Sequence, residues 1–481
     1  MKMKYPSLLV LCAATTIPSA GADNEKKPNI ILIMADDMGY GDAGFTGNEW
    51  IRTPCLDNLA QEGLVFNRFY AGAPLSSPTR FSVLTGRHPY RSGVFSANVG
   101  ILRPEEVTIA EILKQEGYTT GFFGKWHLGS LTYKEKDANR GRINNMRDYN
   151  PPALHGFDIA FAAESKVPTW DPMKQPDNEK NSQYGWKYLE EGDAWRPYGT
   201  SYFDTDGNKV TDNLDGDDSR VIMDRAIEYI GKASVEDKPF FSVIWFHAPH
   251  LPCVAGKNFY EMYEGDELHR NYGGSITAMD YQVGRLTNYL AKLGIEEDTI
   301  IFFCSDNGPE IGTPGSNGGL LGAKRSLNEG GIRVPGFVVW KGHITPGTTN
   351  YPCSTFDYLP TILDLTHTDV KTATYQLDGT SLYNLIIEGK QTNDRNICFM
   401  TNNQAAVVGT RYKLYIHKDR VMLYDLANDM QEQNDIAEQN NKILMQLMTI
   451  YQHFSNSCKA SFMGEEYGTE SYDRMQQKWS R

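Results

Sequence analysis

The chain has little positive charge relative to its negative charge. Its 481 residues include 47 lysines and arginines against 60 aspartates and glutamates, which gives a formal net charge of −13. A chain this acidic has no general electrostatic attraction to nucleic acid or to an anionic membrane surface. We therefore expect no nucleic-acid partner, and an anionic ligand would have to be held by positive charge concentrated in one site.

Cysteine is also scarce, with seven residues in the whole chain. Their wide spacing matches no metal-binding pattern, and it does not fix any disulfide pairing. Cys304 lies inside an apolar run, so we expect a buried thiol there. The six cysteines that follow the first 22 residues are Cys55, Cys253, Cys304, Cys353, Cys398 and Cys458.

The apolar run near the start of the chain is too short to span a membrane as a helix. It covers about residues 8–17, follows a basic start and precedes the small residues Ala20-Gly21-Ala22. This arrangement is typical of a secretory signal cut after Ala22, which predicts export to a bacterial periplasm or secretion, without stable membrane insertion. Cys12 does not fit a lipoprotein signal, because Leu11 before it is not small and the apolar run continues past it.

The rest of the chain is long enough for one large α/β domain and a smaller one. Apolar runs that predict strands alternate with stretches that predict helices, and the run at residues 29–35 is continuous enough for a buried parallel strand. This alternation predicts an α/β fold with a large mixed, mostly parallel sheet between layers of helices.

Past about residue 385 the pattern changes to short strands with tight turns, followed by a helix. It predicts a small C-terminal antiparallel sheet plus helix. The domains are then a signal peptide at 1–22, a main α/β domain at 23–385 and a C-terminal α+β subdomain at 386–481. The predicted strands cover residues 29–35, 118–124, 239–246, 299–304, 333–340, 396–400, 405–409, 412–417 and 420–424, and the predicted helices cover 55–62, 105–116, 218–233, 275–293, 357–365 and 441–454.

The stretch Ser76-Ser77-Pro78-Thr79-Arg80 opens a short apolar helix that ends at Gly86. Pro78 suits the first helical position because its missing N–H has no helical partner there, and Gly86 suits a left-handed C-cap. Ser76 would lie at the positive end of the helix dipole, where negative charge is favoured. Arg80 lies about one turn further on, so its guanidinium can reach the same anion. On local pattern alone, a capped surface helix is the simpler interpretation.

Two polar pairs, Asp36-Asp37 and Asp306-Asn307, each follow an apolar strand. In an open α/β sheet, ligands bind beyond the carboxyl ends of the strands. Three carboxylates and one amide oxygen form a set of hard oxygen ligands, which suits Ca²⁺ or Mg²⁺ rather than zinc. Either pair alone is explained as well by a cap on the helix that follows.

Three further stretches contain basic residues close to the ends of apolar strands or in glycine-rich loops. Each of them alone could present a lysine or histidine to solvent. They are Gly124-Lys125-Trp126-His127-Leu128-Gly129, His247-Ala248-Pro249-His250-Leu251-Pro252 and Gly322-Ala323-Lys324.

Taken in order, these stretches resemble the signatures of the type I sulfatases, in the alkaline phosphatase superfamily. The first signature is Cys or Ser, any residue, Pro, any residue, Arg, then Thr-Gly-Arg, and the chain matches it at residues 76–87. Thr79 and Phe81 are larger than the residues that the family commonly has there. The pattern Asn-Ile, five residues, Asp-Asp, one residue, Gly matches at 29–39, and Asp-Asn-Gly follows at 306–308. The resemblance covers nearly the whole chain after the signal, and its motifs occur in the order that the family has.

The resemblance implies that Ser76 is oxidised after translation to formylglycine by a maturase, and that the hydrated aldehyde is the nucleophile. It also implies one divalent cation, which we expect to be Ca²⁺, with Mg²⁺ as the alternative. The implied metal ligands are Asp36, Asp37, the modified Ser76, Asp306 and Asn307.

The same resemblance assigns the basic residues to a sulfate ester. Lys125 and Lys324 would contact the sulfate together with Arg80, and His127 would hold the hydroxyl of the nucleophile. His250 or Lys324 would protonate the leaving group, with His247 as the alternative histidine or a support. The implied catalytic residues are Ser76, Arg80, Lys125, His127, His250 and Lys324.

The segment at about residues 130–217 is rich in Gly, Asn, Asp, Pro and Trp and has no periodicity, which is typical of a long functional loop. Its aromatic side chains can stack on sugars, or its tryptophans can simply hold the loop in place. With export, the loop favours a sulfated glycan as substrate and exo action. The candidate substrate-binding residues are His155, Trp170, Asp171 and Arg196.

Two other functions stay open from the sequence. A phosphatase, phosphodiesterase or phosphonate hydrolase of the same superfamily is one, although its two-metal members typically have Asp-His where this chain has Asp306-Asn307. A non-catalytic glycan-binding protein is the other, and in it Ser76 would stay unmodified.

Overall fold

The computed structural model describes residues 26–177, 183–369, 371, 375–391, 394–468 and 479. The predicted signal peptide at 1–22 lies outside these residues. The strands are β1 (Asn29–Ala35), β2 (Leu64–Phe66), β3 (Phe69–Tyr70), β4 (Thr119–Lys125), β5 (Ile159–Ala163), β6 (Lys174–Pro176), β7 (Trp195–Pro197), β8 (Tyr202–Asp204), β9 (Phe240–Trp245), β10 (Thr299–Ser305), β11 (Arg333–Val334), β12 (Gly336–Trp340), β13 (Gly347–Thr349), β14 (Cys353–Ser354), β15 (Asn396–Met400), β16 (Gln404–Gly409), β17 (Tyr412–His417) and β18 (Arg420–Asp425). The helices are α1 (Pro54–Gln61), α2 (Ser76–Thr85), α3 (Ile109–Gln115), α4 (Asp218–Val235), α5 (Lys257–Tyr260), α6 (Glu267–Leu293), α7 (Glu329–Ile332), α8 (Tyr358–Leu365), α9 (Tyr383–Glu388) and α10 (Asn441–Phe462).

The main sheet, as far as the chain is described, has nine strands in the order β13-β2-β12-β10-β1-β9-β4-β5-β8. Its five central strands, from β10 to β5, run parallel to one another. Strands β12 and β8 join this block in the antiparallel direction. The predicted mixed, mostly parallel sheet is therefore confirmed.

Alternate side chains of β1 enter two different hydrophobic layers, because successive residues of a strand point to opposite faces. Ile30 and Leu32 pack in the layer that contains α2, α3 and α8. Ile31 and Ile33 pack in the layer that contains α1, α4 and α6. Burial of β1 on both faces explains why its sequence is an unbroken apolar run.

The small C-terminal sheet is antiparallel throughout, in the order β15-β16-β17-β18. Ala405 and Val407 of β16 pack against α10, while Ala406 and Val408 pack against Phe356 of the main domain. The predicted small sheet and final helix are confirmed. The division of the chain at residue 385 stays a prediction.

Helix α6 begins at Glu267, eight residues before the predicted start at residue 275. Gly273 and Gly274 lower the helical propensity of that first part, which hid it in the sequence. A Cβ atom on Gly273 would lie 2.9 Å from the rings of Trp50 and Tyr263, so glycine is needed there for close packing.

The segment predicted as one strand at 333–340 is two strands in two sheets. Strand β11 pairs with β3, and β12 pairs with β10 and β2. Pro335 separates them, because proline has no N–H to donate to a strand ladder. Helix α2 shows a smaller difference, since it begins at Ser76 and places Pro78 at the third helical position rather than the first. That position is also tolerated, because the first N–H groups of a helix have no helical partner.

A buried ion cluster joins the C-terminal sheet to the main domain. The Nζ of Lys413 on β17 lies 2.9 Å from Glu329 Oε1 and 2.9 Å from Glu432 Oε1, and the lysine side chain is inaccessible to solvent. Two carboxylates would be left without this cation if the lysine were removed.

We expect Lys413→Met to lower the free energy of unfolding by about 3–5 kcal/mol, since it leaves two buried carboxylates without their cation. Urea unfolding measures this change. The matched control is Lys238→Met, because Lys238 is exposed and pairs with Glu236 on the surface. A stability loss below about 1 kcal/mol for Lys413→Met would contradict this account of the interface.

Candidate active site

The polar residues gather beyond the carboxyl ends of the central strands. Asp36 and Asp37 follow β1, and Asp306 and Asn307 follow β10. Lys125 ends β4, which lies on the other side of β9 from β1. Because these strands are parallel, their carboxyl ends meet along one edge of the sheet, as expected for ligand sites in this class of fold.

Helix α2 brings its first residue to this edge. The Ser76 Oγ donates a hydrogen bond to Asp36 Oδ1 over 3.2 Å, and Ser76 is almost fully buried. Gly86 ends the helix with a positive φ of 67° and donates its N–H to the Ser82 carbonyl, as a left-handed C-cap does. The positive end of the helix dipole therefore points at the site.

Arg80 is buried between the acids and the strand ends. Its Nη2 lies 2.9 Å from Asp306 Oδ2 and 3.6 Å from Asp36 Oδ1. Its Nη1 donates to the Lys125 carbonyl at 3.0 Å, and the guanidinium lies 5.0 Å from the Trp245 ring centroid. The planar guanidinium is thus fixed in direction by four different neighbours.

The remaining acids pair with lysines. Lys125 Nζ donates to Asp36 Oδ2 at 2.5 Å, and Lys324 Nζ donates to Asp37 Oδ2 at 2.7 Å. Asp37 has a positive φ of 66°, which turns the chain directly after β1, and its N–H donates to Asp306 Oδ1. Backbone strain of this kind is common where a fold holds functional groups in fixed positions.

Burial and charge shift the pKa values of these groups. Burial alone would raise the pKa of Asp36, but the positive charges of Lys125, His250 and Arg80 hold it well below its usual range. Burial and the charge of Asp36 raise the pKa of Asp306 to about 7. Carboxylates this close repel one another, so a further cation between them would favour their ionised forms.

The residues fit a divalent cation. Oxygen or nitrogen atoms of Asp36, Asp37 and His250 lie within 4.8 Å of one another. The Nδ2 of Asn307 donates to Asp37 Oδ1 and to the Gly308 carbonyl, and this leaves its Oδ1 buried and without a partner among the described residues. An unpaired buried acceptor beside carboxylates is the kind of atom that coordinates Ca²⁺ or Mg²⁺.

His127 has one ring nitrogen bonded and one unpartnered within the described chain. Its Nε2 lies 3.1 Å from the amide oxygen of Asn98, while its Nδ1 is buried. Because an amide oxygen can only accept, Nε2 carries the proton in the neutral ring and Nδ1 is an acceptor. Burial and Lys125 hold the pKa of His127 well below its usual range, which favours this neutral form.

The two histidines of the third motif lie in different surroundings. The Nδ1 of His250 lies 2.7 Å from the Leu251 carbonyl, so it donates there, and His250 lines the cavity above Ser76. His247 is inaccessible to solvent, with Nδ1 2.9 Å from Asp218 Oδ2 and Nε2 2.9 Å from the Ser165 carbonyl. His250 is therefore placed to meet a ligand, and His247 to support the fold beneath it.

The loop that carries Lys324 is held by the C-terminal sheet. Gln404 at the start of β16 accepts from the Leu327 N–H at 2.8 Å and donates to the Arg325 carbonyl at 2.9 Å. Lys324 itself also lies 3.2 Å from Glu310. Sequence reasoning did not find Gln404 or Glu310, because their role depends on contacts between distant parts of the chain.

The site opens into a cavity of about 570 Å³. A second cavity of about 370 Å³ adjoins it, and both are lined by Asn139, Ser165 and Lys166. The six predicted catalytic residues lie at or directly beneath the first cavity, and Ser76, Lys125, His127, His250 and Lys324 line it.

The predicted substrate-binding residues lie elsewhere. His155 is buried, with Nε2 2.8 Å from Asn150 Oδ1, and its ring packs against Trp126. Trp170 packs over Gly256, and Asp171 Oδ1 accepts from the N–H of the distant Gly216 at 2.7 Å. Arg196 is on strand β7, which pairs with β6. None of the four is among the residues that line either cavity, so their role in binding stays a prediction.

The cysteines are separate from the site chemistry. The six that lie in the described residues are free thiols, and Cys304 is buried inside β10 as predicted. Among the described helices, none is both long and apolar enough to cross a membrane.

The parallel sheet, the buried cations and the acidic pairs at its carboxyl edge define a hydrolase that acts on esters of a tetrahedral oxyanion. Comparison with known proteins identifies the family. The sulfatase family model matches residues 28–368, and the chain belongs to the sulfatase family, within the alkaline phosphatase superfamily. It is accordingly a sulfuric ester hydrolase, and the predicted resemblance is confirmed.

Individual relatives agree with this assignment. The chain is 30% identical over 432 residues to N-acetylgalactosamine-6-sulfatase of Mus musculus, covering 85% of this chain and 75% of that protein. It is 32% identical over 416 residues to arylsulfatase A of Homo sapiens, covering 80% of this chain and 72% of that protein. Among solved structures, that of Ps i-CgsB in complex with k-i-k-neocarrahexaose superposes with a TM-score of 0.76 at 28% identity. The match covers 89% of this chain and 93% of that one.

We expect the two histidines to respond differently to substitution. His250→Gln should lower kcat by about 10²–10⁴-fold, since it removes a group that can exchange a proton with the substrate. His247→Gln should lower the free energy of unfolding by about 1–3 kcal/mol, because it removes the ring that lies 2.9 Å from the buried Asp218 Oδ2. Steady-state kinetics and urea unfolding of both variants measure these effects. The opposite result would contradict the positions given to the two histidines: a loss of stability only in His250→Gln together with a loss of kcat only in His247→Gln.

Removal of the unpaired Oδ1 of Asn307 should lower the amount of bound metal. Asn307→Leu keeps the side-chain size but loses the acceptor, so we expect its divalent cation content to fall well below that of the wild type after the same dialysis. Elemental analysis of both proteins measures the ratio of metal to protein. Asn213→Leu is the control, since Asn213 is an exposed loop residue. Equal metal content in Asn307→Leu and the wild type would contradict the assignment.

Proposed function

We propose that the chain hydrolyses sulfate esters of a carbohydrate, using a formylglycine made from Ser76 by a maturase. The observation that carries this proposal is the position of Ser76 at the buried tip of α2. There its Oγ lies 3.2 Å from Asp36 Oδ1, next to the guanidinium of Arg80 and facing a cavity lined by Lys125 and Lys324. A hydroxyl so placed meets positive charge from three side chains and a helix dipole.

The first step transfers the sulfuryl group to residue 76. One hydroxyl of the hydrated aldehyde gives its proton to Asp36, whose Oδ1 accepts from the Ser76 Oγ, and attacks sulfur in line. The attack forms an O–S bond and breaks the bond from sulfur to the leaving oxygen. Arg80 and Lys125 stabilise the charge on the sulfuryl oxygens in a preorganised site. The leaving oxygen takes a proton from His250 or Lys324, a contribution worth roughly 10²–10⁴-fold.

The second step releases sulfate. The remaining hydroxyl on the carbon of residue 76 loses its proton to Nδ1 of His127, the carbon–oxygen double bond re-forms, and the bond from that carbon to the sulfate oxygen breaks. Water then adds to the aldehyde and restores the hydrate. A serine side chain has no second hydroxyl on this carbon, so an unmodified Ser76 could accept the sulfuryl group but could not eliminate sulfate in this way.

A divalent cation suits the same site, and we propose Ca²⁺ held by Asp36, Asp37, Asp306, Asn307 and the modified residue 76. When bound, it would act as a Lewis acid on a sulfuryl oxygen. The hard oxygen donors and the orphan Oδ1 of Asn307 support this assignment.

The form of the cavity supports a sugar sulfate and exo action. Ser76 is almost fully buried where it lines the cavity, and this favours a sulfate at the end of a chain over one in its middle. The names of two relatives point the same way, since one is a sulfatase of N-acetylgalactosamine and another was solved with a carrageenan-type hexasaccharide. Export, inferred from the N-terminal signal pattern, would place the enzyme where such glycans occur.

A matched pair of serine variants tests the nucleophile. Ser76→Ala should lower turnover by about 10⁴-fold or more while the unfolding midpoint stays close to that of the wild type. Ser77→Ala is the control, because it removes only a hydroxyl that donates to the His127 carbonyl at 2.7 Å. It should lower turnover several-fold at most and cost about 1 kcal/mol of stability. Turnover retained by Ser76→Ala would overturn the proposed nucleophile.

A substrate panel tests the glycan assignment. Sulfated monosaccharides, oligosaccharides and polysaccharides are incubated with the wild type beside aryl sulfates and aryl phosphates, and released anion is measured by ion chromatography. We expect sulfate from the short saccharides, with sulfated chain ends cleaved before internal positions. Release from aryl sulfates alone would contradict the glycan substrate, and faster release of phosphate would favour a phosphatase.

A further inference from the structure

Among the described residues that line the two cavities, one lysine has no partner. Lys125 pairs with Asp36, Lys324 pairs with Asp37, and Arg325 pairs with Glu310 at 2.5 Å. Lys166 lines the same cavity, is exposed to it, and forms no hydrogen bond or ion pair with any described residue. Within the described part of the chain, no side chain therefore pairs with its charge.

The position of Lys166 follows from the sheet. It comes three residues after the end of β5, the strand next to β4, so it extends from the same carboxyl edge as Lys125. Its neighbour Ser165 is fixed by its carbonyl, which accepts from His247. The lysine thus stands on a rigid support beside the site rather than on a free loop.

Lys166 also lies where the two cavities join, since it lines both of them. The second cavity adds side chains that suit a saccharide, including Gln175, Trp186 and Tyr198. A ligand whose sulfate reaches Ser76 and whose body extends into the second cavity must pass the Lys166 ammonium.

The charge around Lys166 favours an anion. Partial loss of water contact in the cavity and the charge of Lys324 lower the pKa of Lys166, while the charges of Asp37 and Glu310 oppose this shift. An anion bound at the ammonium would relieve the repulsion from Lys324, and a neutral sugar hydroxyl would not.

We propose that Lys166 binds a second anionic group, a sulfate or carboxylate carried by the saccharide whose ester is cleaved, and so selects substrates with at least two anionic groups. This inference rests on the proposed action on sulfated carbohydrates. Lys166 determines specificity and takes no part in bond breaking.

The test uses three forms of one disaccharide that carries a cleavable sulfate. The first form has a uronate carboxylate as its second anion, the second has that carboxylate reduced to an alcohol, and the third has the reduced sugar with a second sulfate. We expect the wild type to prefer the forms with two anions. Lys166→Gln should lower this preference, as a ratio of kcat/KM values, by about tenfold, chiefly through KM, which is the loss of about 1.4 kcal/mol of binding.

Two further variants make the result specific. Lys166→Arg keeps the positive charge and should retain most of the preference. Lys238→Gln, at an exposed position before the amino end of β9 that lines neither cavity, should leave both the preference and the rates unchanged. A preference for only the carboxylate form or only the disulfated form identifies which anion the lysine binds.

Three results would overturn the proposal. The first is a wild type that does not prefer substrates with two anions, and the second is a preference that Lys166→Gln leaves unchanged. The third is an equal loss of kcat/KM in Lys166→Gln on substrates with one and with two anions, which would place the lysine on the cleaved sulfate. If the wild type cleaves none of the three disaccharides, the glycan substrate itself fails. In that case the affinities of two proteins for the same sugars are compared: the single variant Ser76→Ala and the double variant that also carries Lys166→Gln. Equal affinities of the two proteins would overturn the role of Lys166.

Discussion

The active site depends on the pairing of buried carboxylates with buried cations at one edge of the main sheet. Asp36 pairs with Lys125 at 2.5 Å, and Asp306 pairs with Arg80 at 2.9 Å. Removing one partner of such a buried pair typically costs about 3–5 kcal/mol, so each charge fixes the position of the other. Because β1, β4, β10 and α2 each contribute one member, the same pairing fixes the elements that surround residue 76. A sulfate ester entering this site meets cations whose positions are already determined.

This constraint extends to the C-terminal subdomain. Lys324 pairs with Asp37, and the loop that follows it is tied to β16 and β17 through Gln404 and through Lys413. The small antiparallel sheet therefore holds the loop that places Lys324 beside Asp37. This contact explains how the second, smaller sheet supports residues at the strand ends of the main domain. It also explains why a lysine, normally an exposed residue, is fully buried at position 413.

Much of the fold could be predicted because burial on both faces leaves continuous apolar runs such as β1 and β10, which need no distant contact to recognise. The start of α6 could not be predicted from the sequence. The need for glycine at position 273 comes from its close packing against the rings of Trp50 and Tyr263, which are distant in sequence or outside the pattern of the helix. At the site, residues within motifs were predicted from the family resemblance. Lys166 lies outside every motif. Its lack of an ion-pair partner among the described residues can be recognised only from a structure that shows how the neighbouring cations are paired. Sugar-binding residues predicted from composition alone, such as His155, occupy positions away from the cavity walls.

The central claim is that residue 76 is an aldehyde in the working enzyme, held between acids and cations at the tip of α2. Mass spectrometry of protein purified from its own host tests this most directly, since trypsin releases the segment 69–80, which contains residue 76 between Arg68 and Arg80. The account predicts a peptide lighter by two hydrogen atoms than the encoded sequence, with the difference located at position 76 and reactive toward hydrazides. A peptide with an intact serine throughout fully active protein would contradict it.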